Sequence, residues 1–225
     1  MAAPQGYQGA GATPREKTSA KVIASGSLSE GILGAGAVVL AILGLLGIFP
    51  ALFLYIATIA IGAALLFEGG AVSSRISSLT HDRTLSRAEA EEIGTGMTAE
   101  FLAGIAGVAL GILALVGVAP ITLTSIAMIT FGAALVFGSG STARINSFSF
   151  EHYENDTARQ VARESVTAAA GVQMLVGIGA VVLGILALLG IFPLILNLVA
   201  VLAIGGSDLI SGGAIGSRMM SMFRR

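Results

Sequence analysis

The chain has 225 residues, of which 55% are hydrophobic, 11% are charged and 31 are glycine. Soluble domains carry roughly 25% charged residues, so this composition excludes a water-soluble domain and predicts a membrane protein. The lack of cysteine excludes disulfides and thiolate metal sites. A formal net charge of −1 gives no reason to expect nucleic acid as a partner.

The first 30 residues are polar and rich in Gly, Ala, Pro and Thr. No apolar stretch follows a basic opening, so a cleavable secretory signal is not expected. We expect residues 1–30 to form a disordered tail.

Three long apolar blocks follow, each interrupted by one proline: Gly31–Phe67 by Pro50, Phe101–Phe137 by Pro120, and Met174–Ala203, with a polar-flecked extension, by Pro193. About 20 apolar residues cross a bilayer core of roughly 30 Å. A single kinked helix through one block would overshoot the membrane almost twofold, so each block predicts two spans joined by a tight turn. The expected fold is an all-α integral membrane protein with six transmembrane helices in three repeated antiparallel hairpins.

An internal repeat appears when the blocks are aligned on their prolines, which lie 70 and 73 residues apart. Glycine recurs at four aligned positions in all three blocks. These are Gly34, Gly104 and Gly177; Gly47, Gly117 and Gly190; Gly62, Gly132 and Gly205; and Gly70, Gly140 and Gly213. The glycine three residues before each proline suits a left-handed helix end, and the proline suits the first turn of the next helix. The hairpin repeats are placed at 31–75, 101–144 and 174–218.

Charged segments separate the hairpins at 76–100 and 145–173, and a basic tail covers 219–225. Ser86 to Glu89 has capping-box spacing, and Asp156 is an N-cap residue, so helices are expected to run from these points into the third and fifth spans. These extensions are either solvated helix ends or a docking surface for a soluble partner.

Orientation follows from the 12 Lys and Arg residues, all of which lie on the side away from the three turns. The positive-inside rule places that side, with both termini, in the cytoplasm. The expected location is the cell (cytoplasmic) membrane.

The sequence offers few residues that could catalyse a reaction or bind a metal ion. His81 and His152 occupy corresponding charged loops, each beside a carboxylate. They are pH sensors, ligands of a shared metal site or ordinary exposed histidines. No histidine falls in a span, and no phosphate loop, nucleophile elbow or metalloprotease spacing is present. The sequence therefore predicts no enzyme and no cofactor.

Two acids lie deep in the apolar blocks. Glu68 and Asp208 follow their prolines by 18 and 15 residues, which is roughly 27 and 23 Å from the turns. A carboxylate at such depth is costly, so we expect Asp208 to be paired or protonated, unless it reaches the interface through local thinning of the bilayer. The candidate partners are the arginines that end the repeats, Arg75, Arg144 and Arg218.

Small residues recur at four-residue spacing, as in Gly107 and Gly111 and their counterparts Ala37 with Ala41 and Ala180 with Gly184. Such pairs let helices approach closely in lipid. They indicate either a tightly packed bundle or self-association into a homo-oligomer.

The repeat pattern resembles the HdeD-like acid-resistance membrane proteins of bacteria, most closely at LGILALVGVAP (110–120) and LGILALLGIFP (183–193). The third repeat departs from the pattern at Asp208, and the polar start and long charged loops are further departures. The resemblance implies a six-span inner-membrane protein of three two-helix repeats associated with acid stress, and it supplies no catalytic residues.

The function expected from these patterns is a non-enzymatic scaffold or anchor in the lipid bilayer, with a cytoplasmic face that docks a soluble protein. One alternative is a small channel or transporter linked to proton or acid stress, although polar residues in the spans are sparse. The other alternative is the membrane anchor subunit of a redox complex.

Overall fold

The computed structural model describes residues 14–81, 87–149 and 156–223, and it describes side chains at 29, 31–68, 99–139 and 170–210. These residues form six α-helices and no strand. The helices are α1 (Pro14–Leu45), α2 (Pro50–His81), α3 (Arg87–Val116), α4 (Pro120–Ser149), α5 (Asp156–Leu188) and α6 (Pro193–Phe223). The expected all-α membrane architecture is confirmed at this level.

Five helices contain a segment long and apolar enough to cross a membrane. The segments are Pro50–Glu68, Ala99–Val116, Pro120–Ser139, Ala170–Leu188 and Pro193–Ile210. In α1 the apolar segment is shorter, Gly31–Leu45. The chain is therefore a multi-pass membrane protein, and five of its segments are long and apolar enough to span the bilayer.

The three turns share one geometry. In the first, Gly47 N–H donates to Gly44 O at 3.0 Å and Ile48 N–H donates to Leu43 O at 3.1 Å. This pair of bonds is the Schellman motif, and it requires a left-handed residue, which Gly47 supplies with φ of +86°. Gly117 and Gly190 repeat the motif with φ of +98° and +83°. The predicted role of these glycines is confirmed.

The helices close into a ring around α2, α4 and α6, which contact one another in the centre. Each odd-numbered helix packs against its partner in the hairpin and against an even-numbered helix of another hairpin: α3 on α2, α5 on α4, and α1 on α6. The first and last helices are thus neighbours.

Glycines form the seams between hairpins. A Cβ atom added to Gly104 would lie 2.7 Å from Gly62 O, and one added to Gly177 would lie 2.6 Å from Gly132 O. One added to Gly34 would lie 2.9 Å from Gly205 O, so aligned glycines meet at all three seams. Only a residue without a side chain permits this backbone approach.

The small-residue pairs of α1, α3 and α5 face the interior of this ring. Ala37, Ala41 and Ala180 are buried, and Gly111 packs against Ile59 of α2. Of the two alternatives for these pairs, the structure shows packing within one chain. The aligned residues Ile42, Ile112 and Ile185 are each nearly half exposed on the outside, as lipid-facing side chains would be.

Helix ends on the charged side agree with the sequence at two points and differ at two others. The helix α3 begins at Arg87 and α5 at Asp156, as the capping residues predict. The helix α1 begins at Pro14, a residue suited to the first helical turn and one that lies inside the segment 1–30 assigned to the tail. Likewise, α6 continues to Phe223 inside the expected tail at 219–225.

Candidate functional site

A buried polar cluster joins α4 to α6 in the centre of the bundle. Asn197 Nδ2 donates to Ser125 Oγ at 2.9 Å and to Thr124 Oγ1 at 3.3 Å. All three side chains are fully buried. Each hydroxyl in turn donates to a carbonyl of its own helix, such as Ser125 Oγ to Ile121 O at 2.8 Å. The two hydroxyls therefore accept from the amide and donate to the backbone at the same time.

The amide oxygen of Asn197 is the open end of this cluster. Over the part of the chain that the structure describes, no hydrogen-bond donor reaches Asn197 Oδ1, although the atom is buried. The buried Thr58 hydroxyl of α2 donates to Leu54 O of its own helix at 2.8 Å. Asn197 thus presents a free acceptor among the three inner helices, which a polar hydrogen atom from a ligand or a water molecule would satisfy.

Asp208 lies on the same inner side of α6, near its charged end. Its side chain is 2% exposed and packs against Gly34 of α1, where an added Cβ atom would lie 2.9 Å from Asp208 Cβ. The lack of a side chain on Gly34 makes room for the acid at this seam.

A second buried acid, Glu100 of α3, is also 2% exposed. Its carboxylate fills the space beside Gly138 of α4, where any Cβ atom would overlap it. The sequence interpretation missed Glu100 because the second hairpin was begun at residue 101. Alignment on the prolines would have found it, since Glu30, Glu100 and Gln173 all stand 20 residues before one.

The other candidate residues are placed only in part. Glu68 is partly exposed at the charged end of its apolar segment. The side chains of Arg75, Arg144, Arg218, His81 and His152 lie outside the described residues. Their pairing with Glu68 or Asp208, and any role as loop sensors, stay predictions.

The arrangement supplies hydrogen-bonding groups and carboxyl groups inside a membrane bundle, which is chemistry for holding or passing protons and small polar species. Within the described ranges, no three His, Asp or Glu residues come together as they would to hold a metal ion.

No family model, curated protein or solved structure matches the chain. The resemblance to the HdeD-like proteins therefore stays a prediction from the repeat pattern.

Proposed function

We propose that this chain is a non-enzymatic scaffold of six membrane spans, whose cytoplasmic helix extensions dock a soluble protein. The observation that carries the proposal is the length of the helices. All six continue past their apolar segments at the end opposite the turns. The extensions are roughly 10–17 residues long, or about 15–25 Å.

Charge supports the same surface as the docking face. All 12 Lys and Arg residues belong to these extensions or to the segments that join and follow them. A basic and acidic mixture on ordered helices gives a partner both a rigid frame and charged groups to recognise. Under the positive-inside rule this face is cytoplasmic.

The sixth span of the proposal is α1. Its apolar segment, Gly31–Leu45, is the shortest, but α1 packs on α2 and α6 as α3 and α5 pack on their neighbours. Without α1 in that position, the inner helices α2 and α6 would be open to lipid on one side. We therefore place both termini on the same side of the membrane.

Site-specific photo-crosslinking in cells tests the docking role. We expect a crosslinked soluble protein from probes within 76–98 and 145–169, and none from probes at the turn residues Ile48 and Val118. Replacing both segments with Gly-Ser linkers, without probes, should abolish copurification of that soluble protein while the chain still purifies as a folded membrane protein. Copurification that survives the replacement contradicts the proposal.

A second candidate function, a conduit for protons or a small polar species, is favoured by the buried polar side chains. Asn197 and Asp208 are buried near opposite ends of the apolar segment of α6, and Glu100 is buried near the charged end of the apolar segment of α3. Ionisable residues inside membrane bundles commonly mark such pathways. Large apolar side chains that are fully buried lie between them, including Phe131, Val201 and Ile204, so conduction requires the inner helices to move apart.

A liposome assay separates the two candidates. If the conduit exists, vesicles containing the protein dissipate a pH gradient faster than empty vesicles, and Glu100→Gln slows them. Glu68→Gln is the matched control, because Glu68 is partly exposed. Flux equal to that of empty vesicles rules the conduit out and leaves the docking role untouched.

A further inference from the structure

The three turns carry exposed apolar side chains where a water-facing loop would carry polar ones. Leu46 and Phe49 are each 71% exposed, Val116 is 75% exposed, and Leu189 and Phe192 are 71% and 73% exposed. From five residues before each proline to two after it, Thr122 is the one polar side chain, and no residue is charged. We define these segments, 45–52, 115–122 and 188–195, as the apolar tips.

We propose that the apolar tips remain in the far leaflet of the bilayer, against the upper acyl chains and glycerol region of its lipids, so that the protein exposes no polar surface on that side. The occupant of the tips is thus lipid rather than water or a protein. The proposal does not depend on the docking role.

Helix length supports this placement. Glu100 marks the charged edge of α3, and about 16 residues separate it from the helix end at Val116, a distance of roughly 24 Å. The hydrocarbon core of a bilayer is roughly 30 Å thick. If the carboxyl group of Glu100 stays near one edge of the core, the helix end lies a few ångströms short of the opposite edge. The turn then fills that remaining depth and does not project beyond the core.

The turn backbone is suited to such a boundary. Its bonds from Gly47 N–H and Ile48 N–H satisfy donors that would otherwise need water, and Pro50 has no N–H to satisfy. Irregular backbone exposed to lipid is excluded from the middle of the hydrocarbon core, so the remaining unpaired groups of the turn belong at its boundary, in the glycerol region. The other two turns make the corresponding bonds, from Gly117 and Val118 and from Gly190 and Ile191.

Continuity with the lipid-facing sides also favours lipid. Exposed apolar side chains continue along the outer side of α3 into the turn, at Ile112, Leu113, Leu115, Val116 and Val118. Spanning helices usually carry Trp or Tyr where they leave the membrane. The chain has no Trp, no Lys or Arg lies near the turns, and Tyr55, the one tyrosine near a turn, is partly buried against the core. The surface gives no sign of a passage from hydrocarbon to water at this end.

The absence of tryptophan allows a direct test with single reporters in the full-length protein. Val118→Trp, Ile48→Trp and Ile191→Trp place the reporter at the same point of each turn, where the native side chains are 50%, 44% and 46% exposed. Ile112→Trp, at a residue 48% exposed on the side of α3, is the matched control inside the membrane. Vesicles contain lipids brominated either high or low on the acyl chain, with iodide added to both compartments.

We expect loss of tip-reporter emission with bromine high on the chain, protection from iodide, and loss of Ile112→Trp emission with bromine low on the chain. Iodide quenching close to that of a free tryptophan analogue would place the tips in water and overturn the proposal. Resistance to both quenchers would show that protein covers the tips, which also overturns it. Three equivalent reporters keep the test valid if one variant does not fold.

Discussion

Asn197 is a polar residue at a position of the repeat where the first hairpin has leucine. The residues four after each proline are Leu54, Thr124 and Asn197, and all three are fully buried on the inner helices. Hydrogen bonds between membrane helices contribute about 0.6 kcal/mol on average. A buried acceptor without a donor costs about 1–3 kcal/mol. The cluster therefore gives little net stability.

Asn197→Leu tests this balance. We expect a free energy of unfolding that is unchanged or higher by up to about 1 kcal/mol, because leucine has a similar volume, occupies the aligned position and removes the open acceptor. Thr124 and Ser125 keep their bonds to their own carbonyls. Reversible unfolding in mild detergent measures the change.

Asn197→Ala is the matched control, since it removes the same hydrogen bonds but leaves a cavity, and a loss of about 2 kcal/mol is expected. If leucine lowers stability as much as alanine does, the hydrogen bonds themselves stabilise the bundle.

At the scale of elements, the turns were largely predictable. Gly47 and Pro50, with their counterparts, indicated both the helix end and the next helix start, and the structure has both. The backbone conformation of the residue just before each proline was harder to predict, because such a residue prefers extended backbone. Instead Phe49, Ala119 and Phe192 have φ of 39°, 37° and 38°. The helix must reverse within these few residues, and this requirement overrides the local preference.

Ala119→Gly should relieve the strain of that left-handed backbone. A left-handed residue with a side chain costs roughly 1–2 kcal/mol, part of which is offset by the greater freedom of glycine in the unfolded chain. We expect a gain of about 0.5–1 kcal/mol in unfolding free energy. Ala119 is the best of the three positions, because glycine there removes only a methyl group.

The control for this change is Ala109→Gly, at an exposed site inside α3, which should lower stability by about 1 kcal/mol through helix propensity alone. Equal losses at both positions would mean that the turn stores no strain at Ala119.

At the scale of the whole molecule, the repeat predicted hairpins but not how they join. Aligned glycines of different hairpins look identical in sequence, so their spacing cannot distinguish contacts within a hairpin from contacts between hairpins. The structure pairs Gly104 with Gly62 and Gly177 with Gly132, and it closes the ring with Gly34 on Gly205. Glu100 was within reach of the same alignment, but the gap beside Gly138 that buries it is seen only in the structure.

The seams predict a graded set of alanine substitutions. A Cβ atom would come within 2.5 Å of the facing helix at Gly132, 2.7 Å at Gly62 and 3.0 Å at Gly205, with backbone as the nearest atom each time. Because backbone cannot move aside as a side-chain end can, we expect losses of about 1–3 kcal/mol in unfolding free energy, largest for Gly132→Ala and smallest for Gly205→Ala. Gly179→Ala is the matched control in α5, where no atom lies within 4 Å of the added methyl group. It should raise stability or leave it unchanged, because alanine favours helix by about 1 kcal/mol. Equal effects at Gly132 and Gly179 would show that close backbone contact at the seams does not hold the ring together.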